Sequence, residues 1–475
     1  MRKLKLTVLA VIALTAFVSC KNDTEEEAQS LDGFWESVGY GRFVKIEGEN
    51  FETFQITSKS CLPELSGELD MFGDKMYLKN DTLRLDDGIN HYMFVRSSEQ
   101  PASCVNQDTS FYALPIANFE VVAETFRDHY AYFEERNINW DSTYGEYRPQ
   151  VTMATSPWEL YNILEDMFDS FNDGHIGLSA SDEIEQKAAE LKAKLQEEAI
   201  EPEPEFKPIS GFVVRDSIAN HYVDDLKKRV YGFLQWGKIT PDVGYVQLNQ
   251  MFGFADYGID ESLDIQEYFG AYFEQADQDL NHSDKQVRGI RKHFNEVLDD
   301  FADVEAIIID VRFNGGGSDE VGMEVLSFFN PEKKEVFSKQ AWYKGQLTPK
   351  NRVYLHAGSR QSDKKIYLLI SPESASATEI MTLTSLEIPQ VTRIGSETEG
   401  VFSDVFDRQL PNGMDFGLSN EVYLSMDGTN YEGKGIPADV PMNYSRERYE
   451  FFWGLLDDLG GEGDRAIDYV LIKHQ

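Results

Sequence analysis

The chain is poor in cysteine and in basic residues, and it lacks the common metal-binding patterns. Only three Cys occur in 475 residues. No Cys-x-x-Cys or His-Glu-x-x-His pattern is present, so no dedicated metal site and no cofactor are expected. Lys and Arg total 44 against 83 Asp and Glu, a net charge of −39. A nucleic-acid partner is not expected, because such surfaces neutralise phosphates with Lys and Arg. The apolar stretch Leu6–Val18 is too short for a comfortable membrane span. What is present is globular: 41% hydrophobic and 13% aromatic residues, in a chain long enough for several units and a large buried core.

The N-terminus reads as an export signal. Met1-Arg-Lys-Leu-Lys5 is basic, Leu6–Val18 is apolar, and the segment ends at Ser19-Cys20. Ala16-Phe-Val-Ser-Cys20 resembles a bacterial lipoprotein lipobox, which implies a signal peptide over 1–19 and lipid attachment at Cys20. Residues 20–30 then form an acidic tether, similar to the signal that sends some Bacteroidetes lipoproteins to the cell surface. The implied location is the outer membrane, facing the periplasm or the exterior. Cys61 and Cys104 remain, either paired in that oxidising space or as two buried thiols.

Alternating runs between Gly, Asn and Asp, such as Gly41–Ile46, Phe51–Ile56 and His91–Val95, predict a small all-β module over 31–105. A helical subdomain follows over 115–205. Phe119, Val122, Phe126, Tyr130 and Phe133 face one way at helical spacing, and Leu160, Ile163, Leu164, Met167 and Phe168 repeat the pattern. Gly174 suits a helix C-cap, and His175 follows it on a turn. Residues 182–199 give a charged helix with one apolar stripe, either a solvated face or a flap over a site. The stretch 256–285 reads as an insertion or lid.

Residues 206–445 predict an α/β core. Val243–Leu248, Ala306–Arg312, Ile366–Ile370 and Gln390–Gly395 are buried strands, two of them followed by small-residue turns and helices. Asn412-Gly413 between alternating runs marks a hairpin. Residues 446–475 form a C-terminal helical tail.

Four features could carry chemistry. Ser376 lies in Ser374-Ala-Ser-Ala-Thr-Glu379, between a buried strand and a helix, where unpaired amides favour negative charge. It reads as a nucleophile or as an ordinary helix cap. Asn314-Gly-Gly-Gly317 could supply an oxyanion donor, Gly316, together with the Ala377 N–H. It could also be a plain tight turn; a phosphate cradle is disfavoured because no Gly-Lys-Ser/Thr follows. His175 could be a general base or a structural residue. Glu432, between glycines in Tyr431–Asp439, could orient an imidazole or be a solvated loop carboxylate.

Taken together, Asp173-Gly-His175, Asp310–Gly317, Ser374–Glu379 and Tyr431–Asp439 resemble, in order, the motifs of the C-terminal-processing and tricorn-core serine protease family. The resemblance spans roughly residues 115–445. It implies a crotonase- or Clp-protease-like α/β core with Ser376 as nucleophile and an oxyanion hole from Ala377 and a glycine of the 315–317 turn. The processing branch uses a Lys about two dozen residues after the serine, but Gly395–Asp404 contains none. The tricorn-like branch uses His and Glu, which implies Ser376/His175/Glu432, with Asp173 and Asp404 as other acids able to orient His175. No PDZ-like pattern precedes the core. The implied activity is a serine endopeptidase or oligopeptidase acting on peptide or protein substrates, held at the membrane by its lipid. The alternative is a catalytically inactive surface lipoprotein that binds a peptide or apolar ligand on the same core.

Overall fold

The computed structural model describes residues 30–105, 113–196 and 206–475. The expected signal peptide, Cys20, the tether through residue 29 and the Glu201–Glu205 stretch lie outside the described residues. The N-terminal module is one antiparallel sheet of seven strands. From edge to edge they are Cys61–Glu68, Asn50–Ile56, Arg42–Glu47, Gly33–Ser37, Asn90–Ser97, Thr82–Asp87 and Met76–Lys79. Strand alternation sends Trp35, Val44, Ile46, Leu83 and Phe94 into one apolar cluster, and Phe43, Ile56 and Cys61 into another on the opposite face. Cys61 and Cys104 are joined by a disulfide, which resolves the choice that composition left open. It ties the edge strand to the short helix Ala102–Val105.

The helical unit is built from Pro115–His129, Trp140–Tyr147, Pro157–Asp169 and Asp182–Gln196. Ser156 and Glu159 form a reciprocal capping box at the start of the third helix. Phe126 lies at the centre, packed against Trp140, Phe168 and Phe171. The helix Asp182–Gln196 packs on Pro157–Asp169, with Asn162 Nδ2 donating to the Ala188 carbonyl at 3.1 Å and Lys192 paired with Glu165. Its described residues cover that helix and are not among those that line the cleft described below.

The core is a mixed seven-stranded sheet in the order Val440–Pro441, Val391–Gly395, Lys365–Ile370, Ala306–Asp310, Val243–Leu248, Leu234–Lys238 and Lys227–Arg229. The first five are parallel and the last two join antiparallel. Period-two alternation divides the apolar run of the central strand. Ile307 and Ile309 face a layer that includes the helices His282–Asp300, Asp319–Ser327 and Ala377–Ser385. Ile308 faces the helices Gly211–Tyr222, Arg448–Gly460 and Arg465–Lys473. The C-terminal helical segment is therefore one of the sheet's two covers. The aromatic stretch expected as an insertion or lid contains the helix Ile265–Ala276. Tyr268, Tyr272 and Tyr257 cluster there beside Phe269, which packs on Phe233 and Phe252.

The core also reaches back to the helical unit. Asn412-Gly413 turns a hairpin, with Gly413 at φ +84° and Arg408 opposite Phe416. Asp415–Gly417 then pairs with Gly177–Ser179, the strand that begins two residues after His175. Phe406, Leu410, Met414, Phe416 and Leu418 are buried in the same cluster as Phe126 and Phe168.

Candidate active site

The turn after strand Lys365–Ile370 separates its three serines by role. Ser371 Oγ donates to the Arg312 carbonyl at 2.6 Å, and Ser374 Oγ donates to the Val311 carbonyl at 2.9 Å. Both bind this turn to the end of the neighbouring strand. Ser376 differs. It stands at the N-cap of helix Ala377–Ser385 with φ 55° and ψ −123°, and its side chain makes no cap hydrogen bond. A β-carbon at that backbone conformation is strained, and strain of this kind clusters at functional sites. The capping explanation for Ser376 therefore fails, and the residue lines a cleft of about 480 Å³ that His175 also lines.

The glycine turn after strand Ala306–Asp310 closes against this serine. Gly316 has φ +113°, and a β-carbon there would come 2.6 Å from Ser376 Cβ and 3.0 Å from the Ala377 nitrogen. Only glycine fits that approach. The Gly316 N–H, however, donates to Asn314 Oδ1 at 2.9 Å. The expected oxyanion donor on Gly316 is therefore already engaged, and Gly315 is the glycine of this turn that lines the cleft. Across from it, the amides of Thr378, Glu379 and Ile380 bond back to the Ala375 and Ser376 carbonyls. That leaves the Ala377 N–H without a partner at the helix start among the described residues.

His175 sits on the turn before Gly177–Ser179. Its main-chain N–H donates to Asp173 Oδ1 at 3.0 Å, an Asx-type bond that sets the turn. Asp173 is itself held by the Tyr130 hydroxyl at 2.9 Å and the Ser419 hydroxyl at 3.0 Å. Burial lowers the imidazole pKa. The carboxylates of Asp173 and Asp404 and the Ser403 main chain oppose this, and the net value stays below the ordinary one. This shift favours the neutral ring, the form able to accept a proton. Its Nδ1 is buried and makes no hydrogen bond among the described residues.

Glu432 occupies a different place from the one expected of it. One carboxylate oxygen accepts from Arg136 Nη2 at 2.7 Å and the other from the Phe402 N–H at 2.9 Å. Arg136 Nε lies 3.4 Å from Asp173 Oδ2. The chain of contacts thus runs Glu432, Arg136, Asp173, His175, and the acids whose charge acts on the imidazole are Asp173 and Asp404. Burial, with Asp173 adding to it, pushes Glu432 up to about 7.

Three further residues shape the site without having been singled out in the sequence. Arg136 is the cation of the relay just described. Glu379 is fully buried and accepts from the Gly400 and Val401 amides, and burial raises its pKa well above the carboxylate range. It holds the loop whose Val401 carbonyl accepts the Ser376 N–H at 3.1 Å. Lys339 is buried, with Nζ 2.9 Å from Asp404 Oδ2 and 2.9 Å from Glu421 Oε2, and it also contacts Asn90 of the N-terminal module. Burial alone would raise the Asp404 pKa, but Lys339 holds it below the usual value. A signal for Glu379 was available, since a carboxylate stood inside an otherwise small and apolar strand–turn–helix segment. Nothing local marked Lys339.

Comparison with known proteins agrees with this architecture. The profile "Peptidase family S41" matches residues 242–442, and "Tricorn protease C1 domain" matches residues 116–169. The S41 profile thus covers most of the α/β core, and the chain resembles that family over this stretch. The "Probable CtpA-like serine protease" of Staphylococcus haemolyticus is 27% identical over 137 residues, 29% of this chain and 27% of the relative. That of Staphylococcus epidermidis is 26% identical over 140 residues, 30% of this chain and 28% of the relative. The matched stretch thus spans just over a quarter of these curated relatives. A crystal structure from Parabacteroides merdae, of a protein described provisionally as a peptidase, shares the fold. It has a TM-score of 0.54 and 20% identity, covering 75% of this chain and 96% of that one. The S41 match ends beyond Ser376, the glycine turn and Glu432, and the tricorn match ends six residues before His175. The expected fold class therefore stands: a mixed α/β core with a helical N-terminal unit, preceded by an all-β module.

Proposed function

We propose that the chain is a serine peptidase in which Ser376 forms an acyl-enzyme with the substrate carbonyl. His175 accepts the Ser376 proton during attack and returns it to the leaving amine. A water then attacks the ester, again with His175 as base, and releases the acid product. The N–H groups of Ala377 and Gly315 receive the developing oxyanion; donors of this kind commonly contribute about 3–4 kcal/mol each to the barrier reduction. Asp173 and Asp404 favour the imidazolium, and Glu432 acts one step back by fixing Arg136 and, through it, Asp173. The observation that carries this reading is the conformation of Ser376: strained, uncapped, packed on a glycine turn and lining the cleft that His175 also lines. Export as a lipoprotein through Cys20 is part of the same proposal and would present the site outside the cytoplasm.

The test is direct. Ser376→Ala should abolish peptide hydrolysis and fluorophosphonate labelling while its melting curve stays close to that of the parent. Undiminished turnover in this variant would remove Ser376 from the reaction. Labelling-inert parent protein that still binds peptides would favour a binding lipoprotein instead.

A further inference from the structure

The cleft beside Ser376 has a second charged feature that the reaction does not use. Arg215 lines it from the helix Gly211–Tyr222, together with Phe313 and Phe452. The residue is 6% exposed. Its guanidinium stacks on Phe212 at 4.3 Å from the ring centre. Its one side-chain hydrogen bond runs from Nε to Asp216 Oδ1 at 3.3 Å. Asp216 is a weak counter-ion: its side chain is 40% exposed, and the same oxygen also accepts from Gln235 Nε2 at 3.1 Å. No protein acceptor engages the two terminal nitrogens of Arg215 among the described residues. The other cleft cation, Arg448, is paired with Glu373 at 2.7 Å.

A largely buried guanidinium whose terminal nitrogens meet no protein acceptor leaves its planar fork open to the cleft, and that fork matches a carboxylate in two parallel hydrogen bonds. We infer that Arg215 forms a substrate subsite that takes a carboxylate, with Phe212, Phe313 and Phe452 covering the aliphatic stem that carries it. The substrates favoured are then acidic peptides: a Glu or Asp side chain at a fixed position from the cut bond, or the terminal carboxylate of a short peptide. Burial lowers the Arg215 pKa, in keeping with an undercompensated cation that an incoming anion would relieve. This inference rests on the peptidase reading, since it names the substrate of that same cleft.

The experiment uses the full chain and a pool of N-acetylated, C-terminally amidated nonapeptides in which Glu, Gln, Lys and Leu are scanned through each position. Cleavage is read by mass spectrometry. A parallel pool carries free carboxyl termini. The parent should cut peptides with Glu at one fixed position about tenfold or more faster than those with Gln there. Arg215→Gln should bring that ratio to about one, Arg215→Lys should retain part of it, and Arg215→Glu should turn the preference toward Lys. A preference seen only with free termini assigns the carboxylate to the peptide end. Absence of any carboxylate preference in both pools, or a preference unchanged in Arg215→Gln, overturns the subsite. If the parent cuts no peptide, the peptidase reading fails separately. The subsite is then judged by fluorescence anisotropy of fluorescein-labelled Glu and Gln peptides on the Ser376→Ala chain, where equal affinity overturns it.

Discussion

Lys339→Met tests the charge cluster behind the site. The Lys339 side chain is 1% exposed, the Glu421 side chain 2% and the Asp404 side chain 35%. Lys339 is the cation that holds these two acids, and both lie 2.9 Å from its Nζ. Methionine keeps the volume and removes the charge, leaving two carboxylates facing each other with no counter-ion. Breaking a buried pair in this way typically costs about 3–5 kcal/mol. At about 2.1 cal/mol/K per residue, unfolding of a chain this size carries roughly 1 kcal/mol per degree, so the melting temperature should fall by about 3–5 °C at pH 7. The loss should depend on pH with a definite sign. Without Lys339, the folded-state pKa values of Asp404 and Glu421 rise above their unfolded values. Stability is then present at low pH, where both are protonated, and is lost as pH rises through the raised values. Differential scanning fluorimetry at pH 5 and pH 8 should show a smaller deficit at pH 5. A deficit under about 1 °C, or one of equal size at both pH values, would refute the reasoning.

Three other outcomes are expected. Gly316→Ala places a methyl 2.6 Å from Ser376 Cβ, so kcat/KM should fall by at least about a hundredfold, while Gly315→Ala, whose β-carbon meets nothing within 4 Å, should fall far less. Glu432 sits near 7 in the folded chain, above the ordinary value of about 4.3, so its contribution to stability is complete below that value and is lost as pH rises through about 7. Glu432→Gln should therefore lose less stability than the parent between pH 5 and pH 8, as read by chemical denaturation; an identical pH dependence would contradict the burial of that charge. Because burial depresses the His175 pKa, kcat/KM should fall on an acid limb with its midpoint below about 6.5 and stay flat through neutrality. A limb centred well above 6.5 would point to a different base.

What the sequence made legible follows the range of the interaction. Ala306–Asp310 and Lys365–Ile370 are strands because continuous apolar runs suit burial on both faces, and the small residues after each are needed where two turns meet. Asn412-Gly413 sets its hairpin through a local backbone requirement. Strand Leu234–Lys238 was not marked, because its Gln235, Trp236, Gly237 and Lys238 carry no simple alternation; only its neighbour Val243–Leu248 completes it. At the site, Ser376 and His175 stand out because small residues and turns surround them. The destinations of long polar side chains are a different matter. Glu432 reaches Arg136 across 296 residues, and Lys339 reaches Asn90 across 249. No local pattern encodes a partner that distant. The disulfide is the intermediate case: the two cysteines were evident, but their pairing depended on the strand Cys61–Glu68 lying beside the helix Ala102–Val105.

The pairing of Asp415–Gly417 with Gly177–Ser179 has a consequence in the order of synthesis. His175 belongs to the first half of the chain and Ser376 to the second, and the strand that clamps the turn of His175 is made after both. A chain interrupted between Ser376 and Gly417 contains each reactive group without the element that fixes one against the other. The two sides of the cleft are thereby brought into register only late in assembly, once Asp415–Gly417 has been made.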